Sequence, residues 1–285
     1  VNSNTKIGTD ALDANTTGTQ NVAMGHKAMC SNTIGTCNVA IGFNTLVTSV
    51  TAHGNVAVGN HALCKTTCGE KNVAVGNCAL LANTEGWYNV GIGHGALCSN
   101  TTGEYNVGIG RQALNFNTTA DYNIGIGRTA LYCNTTGEHN TALGFNALRD
   151  NTTGQHNIAA GYSALFSNTT GQFNIALGCG SMYYANSGGN NNAFGYQALN
   201  KNWNGSGNQA IGREALACTT TGNCNDAMGY RALYKNTTGS SNVAIGAFAM
   251  SDAAGGDYNV AVGKYAANKN EGTRNTALGY YALYN

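Results

Sequence analysis

The chain has 285 residues, and its 14 Lys plus Arg nearly balance 13 Asp plus Glu. A net charge of +1 leaves no basic face for nucleic acid or an anionic membrane, and no apolar run reaches the ~18 residues that a spanning helix needs. Gly is 40 residues without a Gly-X-Y triplet and Pro is absent, which excludes collagen.

What remains is a repeat. The phrase Asn38-Val39-Ala40-Ile41-Gly42 recurs as Asn242-Val243-Ala244-Ile245-Gly246, and variants start at Asn4, Asn21, Asn55, Asn72 and onward to Asn275. The step is 17 residues, shortened to 16 only between Asn259 and Asn275. A fixed short period predicts a solenoid, here an all-β parallel β-solenoid of about seventeen coils forming a single domain over 1–285. Each coil is named below by its leading Asn, which is position one.

The columns carry the physics. Position five is Gly in every coil, which predicts a corner with positive φ or no room for Cβ. Position one is always Asn, a residue that bonds backbone locally and that, stacked on itself, forms an amide ladder. Position four is apolar throughout and position nine is Leu or Met except at Ala267. These two columns are expected to supply the large core side chains. Position three, Ala or Gly after Lys6, is expected to face a second cover, either another chain or the opposite wall of the same coil, because alternate residues of a strand point opposite ways.

In chain order, the Asn4 coil is irregular, with Thr5 and Lys6 in the strand. Each coil is read as a strand over positions one to five, a second short strand near eight to eleven, and an Asn-Thr-Thr-Gly turn. Recurrent Gly and β-branched residues argue against helix. The Asn174 coil loosens at Ser187-Gly188-Gly189-Asn190, and the next three coils place Asn192, Gln209 and Asp226 at position two, so that column is not deep core. Neither end reads as a polar cap, with Val1 near position fifteen and Asn285 near position eleven. A longer chain or end-to-end self-association is expected. At strand spacing the stack would make a rod of about 80 Å.

The phrase Asn-Val-Ala-Ile-Gly-x-x-Ala-Leu resembles the head repeat of trimeric autotransporter adhesins of the YadA type. Asn134 to Gly144 is also similar to the Asn-Thr-Thr-Gly-x-x-Asn-Thr-Ala-Leu-Gly repeats of phage, giant-virus and environmental surface fibres. The resemblance covers essentially every coil. It implies left-handed β-rolls with three chains about one axis, position three packing near the partner, and binding to host matrix or cell surfaces.

Several columns are candidates for chemistry. Asn15, Asn100, Asn117, Asn134, Asn151, Asn168 and Asn236 begin Asn-Thr-Thr at position twelve, and Asn204 begins Asn-Gly-Ser. All eight are N-glycan sequons in a secretory context, although the same string is turn chemistry. Ten cysteines suggest an oxidising compartment. Cys30 with Cys37, Cys64 with Cys68, and Cys218 with Cys224 bracket loops and are expected to pair, whereas Cys78, Cys98, Cys133 and Cys179 have no local partner. No C-x-x-C pair suggests zinc. At position seventeen, Tyr88, Tyr105, Tyr122, His139, His156 and Phe173 form an aromatic column, which can dock sugars but is expected to stack on itself. Glu104, Asp121 and Glu138 form an acidic column at position sixteen, for which Arg111 and Arg128 are candidate counter-charges. Without a pocket or insertion loop this column reads as a solvated face rather than a glycosidase pair.

The sequence therefore predicts a non-enzymatic fibre or filament subunit at an extracellular, cell or virion surface. It is expected to be glycosylated, to need no metal or cofactor, and to self-associate end to end or as a lateral trimer. The competing expectation is an adhesin or receptor-binding shaft that recognises host glycan or matrix.

Overall fold

The computed structural model describes residues 3–284. The expected stack ends, Val1 and Asn285, lie outside the described residues. The chain is a parallel β-solenoid, and its coils cluster into two compact units divided after Asn140. The first unit stacks eight three-residue strands, β1 (Thr5–Ile7) to β8 (Ile124–Ile126); the second stacks nine, β9 (Thr141–Leu143) to β17 (Thr276–Leu278). Like residues sit over like: Ile41 pairs with Val58 and Val58 with Val75 in the first unit, and Ala244 pairs with Ala261 in the second.

Which face is inside differs from the sequence-based expectation. Position three is the buried column: Ala40, Ala57 and Ala74 have no exposed surface. Position four points outward, with Ile41 and Ile126 exposed. The position-nine leucine fills the interior and leaves no space for a second branched side chain. At Gly91 an added Cβ would lie 3.2 Å from Cγ of Leu80 and 3.3 Å from the Ala96 carbonyl oxygen. The core thus consists of Ala on the strand and one Leu opposite, and the Val and Ile of the strand are displaced to the outer face.

The second expected strand, over positions eight to eleven, does not form. Positions seven and nine adopt left-handed backbone in coil after coil, as at Lys27 (φ 57°) and Met29 (φ 52°), which is incompatible with extended structure. Inter-coil hydrogen bonds persist through these kinks, for example from the Leu46 N–H to the Ala62 carbonyl at 3.2 Å. A left-handed Leu costs about 1–2 kcal/mol, while burying its side chain returns about 1.5–3 kcal/mol. Burial wins, and Leu97, Leu114 and Leu131 are all fully enclosed.

Two Asn ladders run along each unit. In the first, at position one, the Asn38 N–H donates to Oδ1 of Asn21 at 3.0 Å, and Asn38 Nδ2 donates to the Ala52 carbonyl at 2.8 Å, closing its own coil. The second ladder, at position twelve, was read in the sequence as turn or glycan chemistry. Asn100 Nδ2 donates both to Oδ1 of Asn83 (2.8 Å) and to the Gly103 carbonyl (2.9 Å). Where the following coil lacks Asn, this ladder ends on an unpaired oxygen. Oδ1 of Asn32, Asn168 and Asn202 has no partner, and the next residues in the column are Ser49, Ala185 and Thr219.

Candidate interaction faces

The displacement of Val and Ile creates the most extensive functional candidate. In the first unit Ile41, Val75, Ile92, Ile124 and Ile126 stand exposed on one side of the sheet. In the second, Leu143, Ile158, Phe194, Ile211 and Ile245 do the same, and Met228 is 50% exposed. Strand registry makes each set a continuous apolar row. Contiguous apolar surface of this kind marks an interaction site on soluble proteins. The polar residues at position two interrupt it in the second unit, where Asn192 Nδ2 donates to Oε1 of Gln209 at 2.8 Å. Beside them, Gln209, Asp226 and Met228 help line a notch of about 320 Å³.

The aromatic column at position seventeen stacks. Tyr88, Tyr105, Tyr122 and His139 lie with ring centroids 5.0, 5.1 and 5.0 Å apart and planes within 8°. In the second unit His156 and Phe173 stack at 4.8 Å. Rings this close cover one another's faces and leave no gap for a ligand ring. In the acidic column, Oδ1 of Asp121 accepts the Glu104 N–H at 2.7 Å, extending the inter-coil bonding by a side chain. Among the described residues Arg111 forms no ion pair with either carboxylate. No group of three or more His, Cys, Asp or Glu is placed to hold a metal among the described residues.

The sequons divide by burial. Asn100, Asn117, Asn134, Asn151, Asn168 and Asn236 are enclosed, and the amide nitrogen that a glycan would modify is used inside the solenoid, as in Asn117 Nδ2 to Oδ1 of Asn100 in the preceding coil at 2.9 Å. Asn15 is half-buried, and Asn204, at position fourteen, is exposed. Expression in a glycosylating host is therefore expected to place sugar on Asn204 or Asn15 and on none of the five consecutive sequons Asn100 to Asn168. Glycopeptide mass spectrometry that finds Asn117 occupied in folded protein would contradict this.

The expected disulfides are not formed: Cys30, Cys37, Cys64, Cys68, Cys218 and Cys224 are all thiols. For Cys30 and Cys37, bracketing a loop in sequence does not bring the sulfurs together, because the two side chains engage different neighbouring coils. Sγ of Cys37 lies 3.1 Å from Oε1 of Gln20, whereas Sγ of Cys30 lies 3.7 Å from the Val47 carbonyl. Burial raises the thiol pKa of Cys64 and Cys98, which disfavours the reactive thiolate.

One cluster in the second unit has no counterpart in the sequence-based expectations. Tyr162, Tyr183, Tyr184 and Tyr196 surround a notch of about 290 Å³ at Cys179 and Gly180. A second notch of about 260 Å³ lies between Tyr184 and Trp203. Beside the first notch, Arg213 sits 5.6 Å from the Tyr196 ring and donates to the enclosed Glu214, which also accepts from Arg231 at 2.6 Å. Burial alone would raise the Glu214 pKa, but the Arg231 and Arg213 hydrogen bonds outweigh it and hold the carboxyl below its usual range. The sequence signal was available as a break in periodicity, with Gly180 and the Tyr183-Tyr184 pair concentrated in one coil.

No family model matches this chain, and no curated protein matches it either.

Proposed function

We propose that the chain is a non-enzymatic structural subunit of an extracellular fibre, which associates laterally with further copies of itself through the outer face of its strands. The observation that carries this reading is the exposed apolar row at positions two and four. A solenoid with an Ala and Leu core is thin, and covering a flat Val and Ile face adds the apolar burial that the interior lacks. Registry supports a second copy as the cover, because identical columns at identical spacing match one another along their whole length. The resemblance to trimeric adhesin heads implies three copies about one axis.

Sedimentation of the purified protein tests it. The wild type is expected to run as an oligomer at micromolar concentration, and Ile92→Glu combined with Ile126→Glu should run as a monomer with an unchanged far-ultraviolet spectrum. A wild-type monomer under the same conditions would overturn the reading. The alternative, an adhesin or receptor-binding shaft that recognises glycan or matrix, is favoured by a separate observation, the aromatic notches on a different face.

A further inference from the structure

We propose that the Asn157, Asn174 and Asn191 coils, with Asp150 of the coil before them, carry a binding site for a neutral glycan, seated in two notches that share Tyr184. This inference rests on the glycan-recognising reading and is independent of lateral association, since it uses positions six to thirteen rather than the outer face of the strands.

The first notch exists because Cys179 and Gly180 are small where the coils on either side carry Tyr162 and Tyr196. A Cβ at Gly180 would fit in ordinary contact with Cγ of Gln197 at 3.5 Å and Nδ2 of Asn200 at 3.8 Å, so a small residue at this position leaves the notch floor low without itself being packed against backbone. Residues two coils apart in one column are separated by about 9–10 Å at strand spacing. A saturated six-membered ring in contact at about 4 Å with an aromatic face on each side occupies most of such a gap. The position-seventeen column, with rings about 5 Å apart, has no such opening. The difference between a structural stack and a receptive one is here a single missing ring.

The walls are held from behind. Tyr162 stacks on Phe145 at 5.3 Å, on the side away from the notch. Tyr183 stacks on Phe166 at 4.8 Å. Arg213, one coil beyond Tyr196, packs on that ring. Such backing reduces the ordering entropy that a ligand must offset. Tyr184 and Trp203 remain 52% and 58% exposed, large apolar surfaces that the scaffold does not use.

The chemistry of the rims selects the ligand class. Ser163, Gln197 and Asn200 edge the first notch, and Asp150, Thr169 and Asn186 the second. A pyranose presents an apolar face of C–H groups to an aromatic ring and a girdle of hydroxyls to polar groups at its edge. No Lys or Arg lines either notch, which disfavours a phosphate or sulfate ester. A proline-rich segment also docks on Tyr and Trp, but its apolar rings offer no hydroxyls to the polar rims, in which Asp150 already pairs with Arg149 at 2.9 Å and Asn200 Nδ2 donates to the Gly180 carbonyl at 2.8 Å. Each notch is at or below the low end, about 300 Å³, of small-molecule sites, so each takes one sugar residue of a chain.

The test uses Trp203 as reporter in a Trp87→Phe background, since the chain has 2 Trp. Chitohexaose, cellohexaose and mannohexaose are titrated separately, with a proline-rich peptide as comparator. At least one sugar is expected to shift Trp203 emission saturably. Tyr184→Ala and Tyr196→Ala should each weaken that binding by about tenfold or more, Tyr184→Phe by about threefold or less, and the distant Tyr105→Ala not at all. Calorimetric titration of the same variants, with circular dichroism to confirm the fold, guards against loss of the reporter. The proposal is overturned if none of the three sugars saturates, if binding survives both Tyr184→Ala and Tyr196→Ala, or if only the peptide binds. Because oligomeric state is read by sedimentation, either proposal can fail while the other stands.

Discussion

Gly76→Ala is expected to unfold the coils around it, lowering stability by about 2–6 kcal/mol, whereas Gly54→Ala should cost only about 1–2 kcal/mol. Both glycines have positive φ, but the +68° of Gly54 is close to the left-handed angle that side chains adopt in other coils, whereas the +133° of Gly76 is adopted here by Gly alone. Space separates them further. A methyl on Gly76 would lie 2.7 Å from both the carbonyl carbon and oxygen of Gly93, and those atoms are backbone that is itself bonded into the stack. A methyl on Gly54 would meet nothing nearer than Cγ of Lys71 at 3.4 Å. Other coils already place side chains in the Gly54 column at the same backbone angle, as at Cys37 (φ 60°) and Lys71 (φ 56°). The Gly76 strain combines about 1–3 kcal/mol for the disfavoured backbone with a similar amount for overpacking. Urea titration followed by circular dichroism checks both variants. Equal destabilisation of the two would mean that the close approach of the next coil adds nothing to the requirement for Gly at position five.

The position-five glycines show what the sequence makes legible. An invariant residue with one physical use, such as Gly42 or Asn38, reveals the corner and the first ladder directly, and the 17-residue step sets the register that pairs Ile41 with Val58. Facing was harder to read. An apolar column beside an Ala column suggests that the larger side chains are interior, yet Ala40 is enclosed and Ile41 is not. The deciding quantity is interior volume, which depends on the left-handed backbone at positions seven and nine. Nothing in Lys27, Cys78 or Gln112 as residue types announces that conformation; it is imposed by the closure of the coil. The second ladder was hidden by ambiguity, since Asn100-Thr101-Thr102 is at once a sequon, a turn and a buried amide. Its substitutes gave a clue: Ser49, Thr66, Ala185 and Thr219 are all small, as an enclosed site requires. The Tyr184 notches were invisible to column analysis for the opposite reason. They arise where the repeat is broken, and a period-based reading averages over breaks.

Asn89→Asp is expected to cost on the order of 3–5 kcal/mol at neutral pH and markedly less at pH 4. The Asn89 side chain is fully enclosed. Its Oδ1 accepts the N–H of Asn106 at 3.0 Å and Asn106 Nδ2 at 3.2 Å, and its Nδ2 donates to the Gly103 carbonyl at 2.7 Å. Aspartate keeps the acceptor but replaces the donor by a second oxygen, directed at a carbonyl with no cation beside it. Burial and that carbonyl both disfavour the carboxylate, so the acid form is the one that fits, donating where Nδ2 did. The folded pKa is thereby raised above the unfolded value of about 3.9. A raised acid binds more protons folded than unfolded, so stability is lost as pH rises from the unfolded pKa through the folded one. Asn89→Leu, which removes donor and acceptor together, should be destabilised at both pH values alike. In a stack with nearest-neighbour contacts the loss spreads only to adjacent coils, and amide exchange should report it first in the Asn72 and Asn106 coils. Urea midpoints that fall equally for Asp and Leu at pH 7, with no recovery of Asp at pH 4, would mean that the amide columns serve as spacers. Recovery of Asp alone would mean that the side-chain donor that closes each coil on its own carbonyl is what the amide column supplies.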